Sequence, residues 1–179
     1  MLTGVIVAFA LWHIFHRPKL LQVLPEMRSP RILIEKSSRR LTLLDGQKVV
    51  KVYRASIGRG EGDKVHEGDG RTPEGDFYVC MKNPNSKYTL SLGLSYPNVE
   101  DARRGLREGV IEQGQHDAIV AAIAAGRTPL WDTPLGGEIM IHGCGSERDW
   151  TVGCVALDDG DIGELFPVIP VGTPVTIQP

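Results

Sequence analysis

Residues 139–157 read Ile139-Met140-Ile141-His142-Gly143-Cys144-Gly145-Ser146-Glu147-Arg148-Asp149-Trp150-Thr151-Val152-Gly153-Cys154-Val155-Ala156-Leu157. Two apolar runs flank a polar loop, which predicts two strands with a connection between them. The first run ends on His-Gly and the second opens on Thr-x-Gly-Cys. His142 and Cys154 stand twelve residues apart, too far to meet on one helix or one strand. Two strand ends joined by a loop bring them together. A cysteine thiol of pKa ~8.5 is mostly protonated at neutral pH, so a nucleophilic cysteine needs a base or a cationic neighbour. His142 is the candidate. Gly153, just before the cysteine, lets backbone N–H groups face a bound carbonyl, as an oxyanion hole requires.

The 179 residues suffice for one ordinary domain with a short appendage. A hydrophobic share of 41% supports a core and argues against disorder. The net charge of −2 gives no reason to expect a nucleic-acid partner. With 21 Gly and 12 Pro the composition fits strands and turns better than a helical bundle. Cys80, Cys144 and Cys154 cannot all pair within the chain, so at least one thiol is free.

Residues 2–15 are apolar apart from Thr3, Gly4 and His13, yet shorter than the ~20 residues of a straight spanning helix. No polar face is visible, so residues 1–24 read as a signal peptide or N-terminal membrane anchor rather than a buried helix. The basic residues Arg17 and Lys19 follow the run instead of preceding it, which opposes an export topology. A start codon placed too late would account for that order. Residues 25–30, bounded by Pro25 and Pro30, read as a linker, and residues 31–179 as the folded domain.

From Arg31 the pattern is strand-like. Runs at 32–34, 41–44 and 49–53 are divided by Ser37-Ser38 and by the hairpin signal Asp45-Gly46, predicting a three-stranded meander. The glycine-rich stretch 58–75 lacks the Gly-Lys-Ser/Thr of a phosphate loop and the spacing of an EF-hand, and reads as a long surface loop. Residues 76–80 form a strand in which Cys80 is a small core residue. Residues 88–96 alternate as a half-buried strand. Asn98 caps a short helix through Arg104, residues 115–125 form the clearest helix with Gly126 as its stop, and His116 at its start is a neutral surface residue. Gly136-Gly137 opens the strand that carries His142. Asp158 to Asp161 opens a short helix over 162–166, and 171–177 close the domain as a turn and strand.

Taken in order, Gly-Asp-Gly-Arg-Thr-Pro-Glu-Gly, Ser-Tyr-Pro-Asn, Ile-His-Gly, Thr-x-Gly-Cys, a short acidic helix and a terminal Gly-Thr-Pro-Val-x-Ile resemble the L,D-transpeptidase (YkuD-type) catalytic domain. The first two segments look like its YafK-type branch. The resemblance covers residues 31–177 and implies a mainly β (α+β) fold, a YkuD-like curved β-sandwich with two or three short helices. It implies Cys154 as nucleophile, His142 as general base and later acid, and Gly143 as the backbone group orienting the imidazole. Amides around Val152, Gly153 and Cys154 would form the oxyanion hole, with Thr151, Ser146, Tyr96 and Arg71 on the oxyanion or substrate side.

The implied reaction is two-step acyl transfer on the diaminopimelate–D-Ala bond of peptidoglycan stem peptides, with no metal and no cofactor. The implied setting is the periplasm or another extracytoplasmic space, with membrane association through the N-terminal segment. Carbapenem acylation of the thiol is expected. Two positions depart from the commoner pattern: Val152 stands where many members have His, and Ala156 where many have Arg or Asn. That departure keeps a hydrolase in view, releasing crosslinks or a wall-anchored lipoprotein. Two further readings are a zinc site of His142, Cys144 and Cys154, which lacks a Cys-x-x-Cys and a His-x-Glu, and a non-catalytic wall-binding module. Cys144 reads as an inert thiol, with a disulfide partner or redox brake of Cys154 as the alternatives.

Overall fold

A computed structural model describes residues 24–179, and the predicted N-terminal signal or anchor lies almost wholly outside that range. Eight strands form one curled sheet in the order β3-β2-β1-β8-β4-β5-β6-β7. They are β1 Pro30–Glu35, β2 Arg40–Asp45, β3 Lys48–Arg54, β4 Gly75–Asn83, β5 Ser91–Leu94, β6 Met140–His142, β7 Val155–Ala156 and β8 Pro174–Gln178. Among the described residues the helices are α1 Val99–Arg107, α2 Gln113–Ala124 and α3 Asp159–Val168. The mainly β expectation with two or three short helices is met.

β1, β2 and β3 form the predicted antiparallel meander. Gly46, at φ 59°, turns the chain between the paired residues Asp45 and Lys48. β8 then inserts between β1, which it pairs in parallel, and β4, which it pairs antiparallel. The main core lies between the sheet and α3, and includes Ile34, Leu41, Val79, Leu94, Ile141 and Ile162, all fully buried. A smaller cluster of Ala102, Ile111, Ile119 and Leu135 joins α1 to α2.

Local signals explain the helix ends. Asn98 accepts the N–H groups of Glu100 and Asp101, and the Asp101 carboxylate accepts the Asn98 N–H, a reciprocal cap at α1. Gly126, at φ 64°, follows α2 where the left-handed region is needed.

Two expectations change. The strand predicted at 88–96 shortens to Ser91–Leu94, because Thr89 takes φ 72° and breaks the extended run. All four residues are buried rather than alternating, so both faces of β5 are covered. Gly136-Gly137 do not begin β6, because Gly136 and Glu138 take φ 81° and 54° and Gly137 packs against Trp131. The stretch 58–75 is the long surface loop expected, and it is pinned at several points. Lys36 Nζ binds the Thr72 carbonyl at 2.9 Å and the Glu74 carboxylate at 2.8 Å. Inside the loop, Lys64 and Asp69 pair at 2.9 Å with both side chains 4% exposed.

Candidate active site

The 139–157 stretch folds so that β6 and β7 lie side by side in parallel, with Ile141 opposite Val155 and His142 opposite Ala156. Side chains two apart on a strand share a face, and opposed residues of a pair point the same way. The register therefore sets Cys154, just before β7, on the face that carries His142. Both line one cleft of about 750 Å3. Lys64, Glu67, Tyr88, Glu138 and Val152 line the same cleft.

The Cys154 sulfur is gripped by the chain entering β6. Met140 N–H donates to Sγ at 3.4 Å, and the thiol donates to the Glu138 carbonyl at 3.6 Å. His142 is 2% exposed, and its Nδ1 lies 2.7 Å from the Gly143 carbonyl. A carbonyl only accepts, so Nδ1 carries the proton and Nε2 is left as the basic nitrogen. Tyr88 stacks on the imidazole at 4.5 Å and 22°, and Trp150 meets it at 5.6 Å and 66°. Trp150 is itself fixed by its indole N–H, 3.0 Å from the Gly145 carbonyl.

Burial lowers the His142 pKa, against the upward pull of the Gly143 carbonyl. Burial also raises that of Cys154, reinforced by Glu138 and opposed by the Met140 N–H and the Lys64 ammonium. Both shifts favour the uncharged forms. Two uncharged groups in one cleft suit general-base activation as the bond forms better than a standing ion pair.

The other residues singled out in the sequence divide sharply. Val152, 79% exposed, stands on the cleft rim. Thr151 is buried and braces the turn, its Oγ1 donating to the Cys154 carbonyl at 2.7 Å and accepting the Gly153 N–H at 3.3 Å. The Gly153 amide therefore faces Thr151 in this state. Gly153 itself, at φ 137°, has no room for a side chain: a Cβ would lie 2.8 Å from the Arg71 carbonyl. Arg71 contributes that carbonyl to the turn, while its guanidinium donates to the Asp63 carbonyl at 3.2 Å and does not line the cleft. Ser146 is buried and bound through N–H and Oγ to Asp158, at 3.0 and 2.9 Å. Tyr96 is fully buried in the core, its hydroxyl on the Leu135 carbonyl at 3.0 Å, so it lines no substrate cleft. Its apolar ring is satisfied by burial and its hydroxyl by a backbone acceptor, which a Ser-Tyr-Pro pattern does not reveal.

Cys144 is exposed at φ 78° and lines an adjoining cleft of about 900 Å3 with Arg59, Arg148 and Trp150; Lys87 and Tyr88 line both clefts, but Cys144 does not line the one that holds Cys154. Cys80, Cys144 and Cys154 are all free thiols. Among the described residues His142, Cys144 and Cys154 form no common metal-ligand set. Tyr88, Trp150, Lys64 and Glu138 were not anticipated at the site. A lone lysine within the glycine- and acid-rich stretch was the available hint for Lys64; the others have no local signal.

The family model of the L,D-transpeptidase catalytic domain, YkuD, matches residues 29–177. The chain belongs to that family. The match is to the family as a whole and does not separate its branches. Among solved structures, the helical cell shape determining protein Pgp2 from Campylobacter jejuni is 22% identical, with TM-score 0.59, covering 94% of this chain and 54% of that one. Bd1075 of Bdellovibrio bacteriovorus is 23% identical, with TM-score 0.55, covering 89% of this chain and 51% of that one. An L,D-transpeptidase from Mycobacterium tuberculosis H37Rv is 14% identical, with TM-score 0.50, covering 84% and 58%. This L,D-transpeptidase-family chain thus spans about half the length of these structures, and at such identities they speak for the fold. A comparison with curated proteins returns no match. Among the described residues no helix is long and apolar enough to cross a membrane.

Proposed function

We propose that this protein is a cysteine acyltransferase of the bacterial cell wall that acts on the diaminopimelate–D-Ala bond of peptidoglycan stem peptides. The observation that carries the reading is the Nδ1 contact of His142 to the Gly143 carbonyl at 2.7 Å, which leaves Nε2 as the base in the cleft that holds Cys154. His142 Nε2 takes the Cys154 proton as sulfur attacks the peptide carbonyl. The C–N bond breaks, and the same imidazole returns the proton to the departing D-Ala amine. An amine from a second stem peptide then attacks the thioester, His142 removes its extra proton, and the thiol is regenerated. Backbone amides of the 152–154 turn are the proposed oxyanion donors, with the Gly153 N–H released from Thr151 as charge develops on oxygen. No step requires a metal or organic cofactor.

Family membership supports an extracytoplasmic site of action, where peptidoglycan lies; the apolar residues 2–15 support attachment to a membrane, while Arg17 and Lys19 after them speak against that topology. A role in cell shape is a further proposal, prompted by the fold shared with Pgp2. Val152 and Ala156 stand where the commoner family pattern is polar, so hydrolysis, with release of crosslinks or of a wall-bound lipoprotein, is the second reading. Incubation with isolated sacculi followed by muropeptide analysis decides between them. New diaminopimelate–diaminopimelate links support transfer; lost crosslinks or released lipoprotein replace it with hydrolysis. Unchanged muropeptides overturn both.

A further inference from the structure

Asp159, the first residue of α3, does not line the Cys154 cleft. Its Oδ1 nevertheless joins the two pieces of chain that surround His142. It accepts the Thr89 hydroxyl at 2.7 Å and the Cys144 N–H at 2.9 Å. Both donor residues sit in left-handed backbone, Thr89 at φ 72° and Cys144 at φ 78°. Residues with a side chain rarely adopt that conformation and keep it only where their surroundings hold them there.

The same two pieces touch a second time. Gly143 N–H donates to the Tyr88 carbonyl at 3.0 Å. The approach is so close that a Cβ on Gly143 would lie 2.4 Å from Asp159 Oδ1 and 2.9 Å from that carbonyl. One piece carries the Tyr88 ring stacked on the imidazole, and the other carries the Gly143 carbonyl that accepts the Nδ1–H. Two links hold those pieces together: the direct bond from Gly143 N–H to the Tyr88 carbonyl, and the Asp159 carboxylate oxygen. Capping of α3 alone does not account for this, because the N-cap position belongs to Asp158.

We propose that Asp159 is the positioning residue of His142: its carboxylate clamps the Tyr88-Thr89 loop to the Gly143-Cys144 turn and so keeps Nε2 directed toward Cys154. The proposal rests on the reading of His142 as the base. It has a consequence that a purely structural aspartate lacks, since Asn keeps an oxygen acceptor for both donors whereas Ala does not.

The test uses the full chain and its Asp159→Ala, Asp159→Asn and Thr89→Val variants. Measured quantities are the thermal midpoint, the 15N spectrum of the His142 ring, and kcat and KM on a disaccharide tetrapeptide. In Asp159→Ala, kcat falls by about 10²-fold through misplacement of the ring, with KM little changed, and the ring leaves its single Nδ1–H tautomer. Asp159→Asn recovers most of both. Thr89→Val shows a smaller loss of the same kind, and adding it to Asp159→Ala costs nothing more.

Equal loss in Asp159→Ala and Asp159→Asn would overturn the clamp in favour of a charge effect at the helix start. So would a wild-type kcat and ring spectrum in Asp159→Ala. Where Asp159→Ala fails to fold, Thr89→Val decides alone, and an unchanged ring spectrum overturns the proposal. Inactivity of the wild-type chain on the peptide would count against the proposed function, while the ring spectrum would still report on the clamp.

Discussion

Burial of His142 and Cys154 in one cleft moves their pKa values in opposite directions, down for the imidazole and up for the thiol. As the proposed base His142 acts in its neutral form, so the acid limb of kcat/KM should lie below the ordinary imidazole value of 6.5. Iodoacetamide alkylation of Cys154 should climb with pH toward and beyond the ordinary thiol value of 9.0, with no reactive plateau at pH 4–7. A plateau there would mean a standing thiolate–imidazolium pair. Cys154→Ala should abolish carbapenem acylation in intact-protein mass spectra, while Cys144→Ala should leave it unchanged, because Cys144 opens into the other cleft. The proposed nucleophile and base stand out in the sequence because Ile-His-Gly and Thr-x-Gly-Cys are short and local. Tyr96 and Arg71 were misplaced for the opposite reason: where a side chain points after a turn depends on what packs against it, and here those partners are the Leu135 and Asp63 carbonyls.

At the scale of elements, the turn before β7 tolerates little change. Gly153 combines φ 137° with a Cβ position 2.8 Å from the Arg71 carbonyl, so Gly153→Ala should cost at least ~1–3 kcal/mol from strain alone. A drop in thermal midpoint together with lost acylation would confirm it; full activity would not be compatible with the packing described. The Lys64–Asp69 pair anchors the glycine-rich loop beside the cleft. Burial alone would raise Asp69, but the Lys64 ammonium and the N–H groups of Val65, Arg71 and His66 outweigh it and bring its pKa down to about 2. A depressed carboxylate contributes stability above its ordinary value of 3.8, and that contribution is lost as pH falls toward about 2. Lys64→Met removes the ammonium but leaves the carboxylate its three backbone N–H donors, and should destabilise by roughly 1.5–3 kcal/mol, measured by denaturant unfolding at pH 7. Hairpin and cap signals were readable here because Asp45-Gly46 and Asn98 act within a few residues. The shortening of β5 was not, since a left-handed Thr89 is imposed by contact with distant Asp159.

At the scale of the molecule, β8 is the seam between the two parts of the sheet. It is the last strand in the chain, yet it pairs Val175 with both Ile32 of β1 and Phe77 of β4. Removing residues 174–179 should therefore abolish cooperative unfolding and leave no native near-ultraviolet circular dichroism, whereas loss of an edge strand would not. A truncated chain with a sharp transition would contradict the topology. By itself the sequence determined the class of fold, the meander, the cap of α1 and the pairing of a His-Gly with a Gly-Cys, since each follows from residues close together in the chain. The 139–157 stretch announced two strand ends. Only the tertiary structure made them parallel neighbours with His142 opposite Ala156, set Tyr88 and Trp150 around the imidazole, put the Glu138 carbonyl on the sulfur and placed Lys64 in the same cleft. Tyr88 and Lys64 come from segments far from this stretch in the chain, and the burial that shifts both pKa values exists only once the whole sheet has closed.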